Sequence, residues 1–349
     1  KEGGNGMRKG WEYKKLGDCT QILDSQRKPV TKRDRKSGIY PYYGATGIQD
    51  YVDKYIFDGR YVLVGEDGAK WSSFTQSAFI IEGKTWVNNH AHVLRTNDFL
   101  VDSFLVYFLN YSDLDSYISG AIIRKLTQAS LRNIDIPLPP KSTQLAIVSE
   151  LDKINELIRL KKEQLKDFDN LAQSLFYEMF GDPVENEKGW EVKKLIEVSS
   201  LINGRAYKQN ELLSEGKYKV LRVGNFFTNS NFYYSNLELE DEKYCYKGDL
   251  LFAWSASFGA FIWDEDKTIF HYHIWRVLFD KAILDIHYYQ YLLNTMTSFF
   301  MNDVHGIGMV HLTKSGMEQY ELPLPPLSLQ RLFAQRIEQI EREKSEVQK

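Results

Sequence analysis

Two halves of this 349-residue chain carry the same short sequences in the same order. The sequence GWEYKKL at 10–16 returns as GWEVKKL at 189–195, and HAHVLR at 90–95 returns as HYHIWR at 271–276. IPLPPKSTQ at 136–144 returns as LPLPPLSLQ at 322–330, and residues 120–140 align without gaps on 306–326. Such a repeat predicts that one structural unit occurs twice in the chain.

Each copy of the proline-rich sequence is followed by a pattern typical of a long helix. Residues 141–180 contain neither proline nor glycine, and apolar side chains recur alternately three and four residues apart, as in a coiled-coil seam. Ser142 is the predicted N-cap, and Gly181 follows the predicted end. The seam includes Ile147, Leu151, Ile154, Ile158, Leu165, Phe168 and Leu175, and it returns in the second copy as Phe333, Ile337 and Ile340.

Connectivity predicts how the two helices pair. The first helix leaves the first domain and ends at the second domain, where the second helix starts, so paired seams must run antiparallel. We therefore predict an α+β protein with two repeated, mostly-β domains joined by two long antiparallel coiled-coil helices, a dumbbell with pseudo-two-fold symmetry. The predicted parts are an N-terminal arm at 1–9, domains at 10–138 and 182–324, a central helix at 139–181 and a C-terminal helix at 325–349.

The two helices differ in length. Residues 327–349 match 141–163, so the second helix is about 35 Å long against roughly 55 Å for the first. An antiparallel partner that starts at the second domain covers that end first. We therefore expect an uncovered stretch near Ile147 and Leu151, beside the first domain.

Composition bounds the class of protein. No segment approaches the roughly 18 consecutive apolar residues of a membrane span, and the two cysteines lie in different halves, so we expect a reduced, cytoplasmic protein without a membrane partner. Residues 1–6 are expected to be a tag remnant, with Met7 as the natural start and no signal peptide. The net charge of −3 shows no global basic field, but six of the ten residues at 27–36 are basic.

The sequence contains fragments of motifs that are typical of phosphate and metal binding. EGKT at 82–85 ends like a phosphate-binding loop, but Ala78 stands where the loop requires its first glycine, and a strand-like segment follows. Two His-x-His pairs, at His90 and His92 and at His271 and His273, place two imidazoles on one strand face, but no third ligand has a characteristic spacing. We predict no catalytic residue and no metal site, and we assign the histidines to strand packing or to a phosphate contact.

The order of domain, proline-rich sequence with long helix, domain and proline-rich sequence with helix resembles the specificity subunit of a type I DNA restriction–modification system. The resemblance covers residues 8–349 and is carried by the repeats above, by YGATG at 43–47 and by the Leu-Thr pairs at 126–127 and 312–313. It implies that each half is a target recognition domain that reads one part of a split site in double-stranded DNA. It also implies that the helices set the spacer and dock two methyltransferase subunits.

Further expectations follow from the resemblance. Restriction subunits, with translocase and nuclease activity, are the other implied partners. The chain itself is expected to be non-catalytic, with S-adenosylmethionine and ATP bound only by partner subunits. The uncovered seam is expected to contact a methyltransferase subunit or further C-terminal residues of the natural protein.

Candidate DNA contacts are the basic and aromatic residues at predicted turns. The segments 40–70 and 218–258 share little, so the two half-sites are expected to differ and the whole site to be asymmetric. The candidates are Arg27, Lys28, Lys32, Arg33, Tyr42, Tyr43, Lys70, Trp71, Arg124 and Lys125 in the first half, and Arg205, Tyr207, Lys208, Trp254 and His311 in the second.

Two other functions fit the same patterns. One is a protein-binding coiled-coil scaffold whose basic loops are incidental. The other is the recognition subunit of a different type of restriction–methylation enzyme.

Overall fold

A computed structural model describes residues 11–228, 230–303 and 312–349. The chain divides into two compact units, Lys1–Ile158 and Arg159–Lys349, called here the first and second unit. The predicted α+β class with two repeated domains and a long helix is confirmed.

The first unit contains eight strands and the helices around them. The strands are β1 (Glu12–Lys15), β2 (Thr20–Ile22), β3 (Ser37–Gly44), β4 (Gly47–Val52), β5 (Phe57–Gly65), β6 (Ala78–Val87), β7 (Ala91–Thr96) and β8 (Asp135–Leu138). The helices are α1 (Leu16–Cys19), α2 (Asp102–Tyr111), α3 (Gln128–Arg132) and α4 (Lys141–Phe180), of which α4 continues into the second unit.

The second unit follows a similar order. Its strands are β9 (Glu191–Lys194), β10 (Ser199–Asn203), β11 (Tyr218–Leu221), β12 (Tyr233–Ser235), β13 (Tyr244–Cys245), β14 (Leu250–Ser255), β15 (Ser257–Ile262), β16 (Thr268–Phe270), β17 (Ile274–Phe279) and β18 (Glu321–Leu324). Its helices are α5 (Leu195–Val198), α6 (Val223–Phe227), α7 (Ile286–Thr295), α8 (Thr297–Asp303), α9 (Lys314–Met317) and α10 (Leu327–Gln348).

The repeated sequences form a clasp that closes each unit. In the first unit β1 pairs antiparallel with β8, so the GWEYKKL sequence lies against IPLPP. In the second unit β9 pairs antiparallel with β18 in the same way. The clasp brings the two ends of each domain together before the long helix begins, which explains why both sequences recur.

The sheets differ between the units. The first unit has a six-stranded sheet in the order β2-β7-β5-β6-β3-β4, antiparallel except for the β3–β6 pair. The second unit has two four-stranded sheets, β10-β17-β14-β15 and β12-β11-β16-β13, with one parallel pair, β11–β16. The sheets of both units are therefore largely antiparallel, but their strand orders differ.

The start of α4 differs from the prediction. The helix begins at Lys141, and the backbone N–H of Gln144 donates to the carbonyl of Pro140, so Ser142 lies inside the first turn and is not the N-cap. The C-terminal end is as predicted. Gly181 adopts a positive φ of 76°, which glycine tolerates best, and its N–H donates to the Tyr177 carbonyl.

Within the second unit, α10 runs antiparallel to α4. Phe333 near the start of α10 contacts Phe180 with ring centroids 5.3 Å apart, and Lys344 near its end pairs with Asp169. The seam residues Phe333, Ile337 and Ile340 are buried here, and Phe168 and Leu175 pack against the same cluster.

The uncovered part of the α4 seam is not where the sequence places it. Ile147 packs against the core of the first unit, and its neighbour Val148 is buried in that core. The side chains of Ile154, Leu157 and Ile158 are instead 50%, 60% and 46% exposed. The prediction of a bare stretch near Ile147 and Leu151 is therefore wrong by about two helical turns, because the first domain covers its own end of the helix.

Within the part of the chain that the structure describes, no helix combines the length and the apolar character that a membrane crossing requires.

Candidate nucleic-acid interface

A cluster of charged side chains lies inside the first unit. Arg27 donates from Nη1 to Glu66 Oε2 at 2.6 Å, and Lys125 Nζ lies 2.7 Å from Glu66 Oε1. Arg27 also lies 3.4 Å from Asp24 Oδ2 and donates to the Ala91 carbonyl. Its side chain is only 12% exposed, so this guanidinium orders the loop after β2 and we leave it out of the proposed DNA surface.

His92 extends the cluster through both ring nitrogens. Nδ1 lies 2.6 Å from Asp24 Oδ2, and Nε2 lies 2.8 Å from the Leu126 carbonyl oxygen. Burial raises the pKa of Asp24, but the hydrogen bond and charge of His92 outweigh it and the net pKa is lowered, so the carboxyl is ionised. Both partners of the ring are oxygen atoms that can accept hydrogen bonds, so each ring nitrogen of His92 faces an acceptor.

The same cluster is the place to test for a metal. Ligand atoms of Asp24, Glu66 and His92 lie within 4.8 Å of one another. However, an ammonium and a guanidinium already occupy the Glu66 oxygens, and both ring nitrogens of His92 are engaged with other oxygen atoms. The chemistry of these side chains therefore favours a buried salt-bridge network.

Two aromatic candidates also lie in the interior. Tyr42 is 1% exposed, and its hydroxyl accepts from the Val30 N–H. Trp71 is 4% exposed, and its indole N–H donates to the Gly65 carbonyl. Tyr43 packs against a second core cluster. Because the Tyr42 and Trp71 side chains are buried, we do not include them among direct DNA contacts.

Other candidates of the first unit reach the surface. Lys28, Lys32 and Arg33 are exposed on the loop before β3. Lys70 and Arg124 line a cleft of about 520 Å³, with Ile122 and Ile123 on the same wall. Arg124 pairs with Asp115 at 2.7 Å, and its guanidinium lies 5.9 Å from the Trp71 ring. The structure thus brings Arg124 to the adjacent residues Lys70 and Trp71, from which it is distant in the sequence.

The candidates of the second unit are mostly engaged with their neighbours. Arg205 donates to both carboxylate oxygens of Glu211, at 2.8 and 2.9 Å, and lies over the Tyr207 ring. Burial raises the pKa of Tyr207, whose ring packs beside a core cluster. Lys208 is exposed. Trp254 stacks on Trp275 with centroids 5.3 Å apart.

His311, the remaining candidate, lies outside the described residues.

A polar cleft in the second unit contains residues that sequence reasoning missed. Its volume is about 1060 Å³, and it is lined by residues 222–225 and 230–234, by Ser214 and by His271 and His273. The side chains that face it include Arg222, Asn231 and Tyr233. The His-x-His repeat pointed to the two histidines of this cleft. No sequence signal pointed to Arg222, because it lies where the two halves of the sequence differ.

The corresponding place in the first unit is also a cleft. His90, which aligns with His271, lines a space of about 390 Å³ together with Arg35 and Asn88. There Arg35 is held by Asp50 at 3.2 Å and lies over the Tyr42 ring. At equivalent positions of the repeat, the two units therefore carry clefts that differ in size and in chemistry.

Comparison with known proteins agrees with this architecture. The model of the type I restriction modification DNA specificity domain matches residues 8–167 and again 187–349. S.HindORF215P of Haemophilus influenzae, named as a type I restriction enzyme specificity subunit, is 33% identical over 74% of this chain and 69% of its own length. The MjaVIII specificity subunit of Methanocaldococcus jannaschii is 22% identical over 95% of this chain and 86% of its own.

Solved structures show the same fold. The S subunit of a type I restriction–modification system from M. genitalium aligns with a TM-score of 0.57 and 13% identity, over 99% of this chain and 95% of its own. A chain from a type I system studied for complex assembly and conformational transition also gives 0.57, with 18% identity, over 97% of this chain and 92% of its own. With two matched domains that together span nearly its whole length, the chain belongs to the type I restriction modification DNA specificity family.

Proposed function

We propose that this chain is the sequence-reading subunit of a type I restriction–modification complex, and that each unit reads one half of a split, asymmetric site in double-stranded DNA. One observation carries the proposal. Both units keep the same strand clasp, but the chain segment between the two clasp strands forms different sheets and different clefts in the two units. A shared frame with two different surfaces suits a reader of two different half-sites.

The basic residues at the surface are the proposed phosphate contacts. Lys28, Lys32 and Arg33 lie on one exposed loop of the first unit, and Lys70 and Arg124 line its cleft. In the second unit, Lys208 is exposed beside the Arg205–Glu211 pair. Such contacts position a duplex without reading its sequence, so they are expected to govern affinity rather than choice of site.

The long helices have two proposed tasks. The length of α4 sets the spacer between the half-sites, and the helices dock two methyltransferase subunits. Ile154, Leu157 and Ile158 support the docking role, because three large apolar side chains share one exposed face at helical spacing. Covering such side chains, which are already about half buried, contributes about half of the ~1.5–3 kcal/mol that full burial gives each of them.

Catalysis is assigned to the partners. The only cluster of possible metal ligands among the described residues is already occupied by the cationic side chains of Arg27 and Lys125, and EGKT at 82–85 lies within strand β6 rather than before a helix. Methylation with S-adenosylmethionine and translocation with ATP would then belong to methyltransferase and restriction subunits.

A salt titration with mapped sites tests the proposal. The chain is co-expressed with the methyltransferase subunits of its host, and the methylated sites are mapped by long-read sequencing. A bipartite, asymmetric site is expected, and duplexes that contain it should bind less tightly as salt rises, since neutralised phosphates release counterions. A protein scaffold would show neither a defined site nor salt-dependent duplex binding, and partners other than methyltransferases would point to another enzyme type.

A further inference from the structure

The cleft of the second unit holds an arginine that no neighbour neutralises. Among the residues that the structure describes, no carboxylate lies within ion-pairing distance of the Arg222 guanidinium, although most other arginines discussed above are paired. The guanidinium lies 5.2 Å from the centroid of the exposed Tyr233 ring. A cation over an aromatic face is oriented without losing its hydrogen-bond donors, so the fork of Arg222 remains available to a ligand.

His271, which also lines the cleft, adds a second donor. Burial, with the nearby charges of His273 and Arg222, lowers the pKa of His271 to about 4, so the ring is neutral at physiological pH. Its Nδ1 lies 3.4 Å from the backbone N–H of His273 and can only accept there. The ring proton of the neutral form therefore lies on Nε2, as a hydrogen-bond donor.

The chemistry of the cleft selects among base edges. In the major groove, guanine presents two acceptors, O6 and N7, whereas adenine presents one acceptor and one donor. A forked guanidinium with a neutral imidazole donor matches two acceptors and mismatches an adenine amino group. We propose that this cleft receives the major-groove edge of a G·C pair and that Arg222 reads its guanine, which rests on the DNA-reading role proposed above.

The first unit supplies a contrast. At its corresponding cleft, Arg35 is held by Asp50 and by the Val30 carbonyl, so its fork is already occupied. Guanine reading by this mode is therefore assigned to the second unit alone. Substitution of Arg222 should change one base position in one half-site and leave the other half-site intact.

The test compares Arg222→Ala with Lys247→Ala in the co-expressed methyltransferase complex. Lys247 is an exposed cation of the same unit that does not line the cleft, so its removal matches the loss of charge. The wild-type map defines the site, and synthetic duplexes with each G·C pair replaced by A·T in turn measure the preference at every position. Arg222→Ala is expected to lower the preference for one G·C pair by about fivefold or more, while Lys247→Ala leaves the preference at every position unchanged.

A second variant guards against a folding artefact. Arg222→Lys keeps the charge but lacks the fork, so it should reduce the same base preference while the salt dependence of binding stays unchanged. Uniform weakening by Arg222→Ala, with every base preference kept, would show a phosphate contact and overturn the inference. Absence of any defined site in the wild-type complex would overturn the proposed function itself, which is a different result.

Discussion

Gln144 and Gln330 hold the starts of the two long helices by the same set of hydrogen bonds. Gln144 is fully buried, and its Oε1 accepts from the Val101 N–H at 2.8 Å. Its Nε2 donates to the carbonyls of Phe99 and Pro139, at 2.8 and 2.9 Å. One amide therefore joins the first turn of α4 to the loop before α2.

The second unit repeats this arrangement. Gln330 is also fully buried, and its Oε1 accepts from the Asp285 N–H at 2.8 Å. Its Nε2 donates to the carbonyls of Ile283 and Pro325. The glutamine at the end of the proline-rich repeat is thus a backbone clip, which fixes where each long helix leaves its domain.

Removing either clip should destabilise its own unit. Gln144→Leu and Gln330→Leu leave one backbone N–H and two carbonyls without partners, and each unsatisfied buried group costs about 1–3 kcal/mol. Urea unfolding should therefore show a lower midpoint for both variants. Gln339→Leu is the control, because Gln339 is exposed on α10 and bonds only to Glu343 one turn away. Midpoints equal to that of the control would contradict the clip.

The repeat made this much of the fold predictable. Residues that hold the frame recur at matching positions, as the two clasps, the N-caps Thr127 and Thr313 and the two glutamines do. The burial of Arg27 was not predictable, because it depends on contacts with Glu66 and Ala91, 39 and 64 residues away. Arg222 was missed for the opposite reason: a reading residue belongs to the part that differs between the halves.

The buried network of the first unit should make its stability depend on acid pH. Burial raises the pKa of Glu66, but hydrogen bonds from Lys125 and Arg27 outweigh it, and the pKa values of Glu66 and Asp24 are both lowered in the folded state. The unfolded chain, with carboxyl pKa values of about 4, therefore takes up protons first. The contribution is complete above that pH and is lost as pH falls through the lower folded values.

Glu66→Gln should reveal this contribution. The variant is expected to unfold at lower urea concentration at pH 7, since Arg27 and Lys125 lose the charge of Glu66, and to lose less stability as pH falls below about 4. Glu12→Gln, at an exposed carboxylate, should behave like the wild type. If the stability of Glu66→Gln falls as steeply with decreasing pH as that of the wild type, the pH dependence arises from other carboxyl groups.

The spacer should follow the length of α4. Seven residues inserted after Leu160 keep the phase of the seam and lengthen the helix by about 10.5 Å, or roughly three base pairs. Mapping of methylated sites should then find both half-sites unchanged and a longer spacer between them. A constant spacer with an altered half-site would argue against the helix as a ruler.

Each unit should be exchangeable as a module. Replacing residues 11–138 by the equivalent segment of a relative keeps both clasp strands, β1 and β8, in the transferred piece. Only one half-site is expected to change, because the second unit keeps its own sheets and cleft. A change in both half-sites would mean that the units read DNA jointly.

The exposed face of α4 should serve assembly rather than folding. Ile154→Ser and Leu157→Ser alter side chains that are half exposed or more, so the melting temperature of the isolated chain should change little. Ile147→Ser is the matched control on the same helix: Ile147 packs against the core of the first unit, so its loss should lower the melting temperature. Affinity for the methyltransferase subunit, measured by calorimetric titration, should fall in the Ile154 and Leu157 variants, because they offer less apolar area for the partner to bury. Unchanged affinity together with a large loss of stability would show that this face is already closed within the chain.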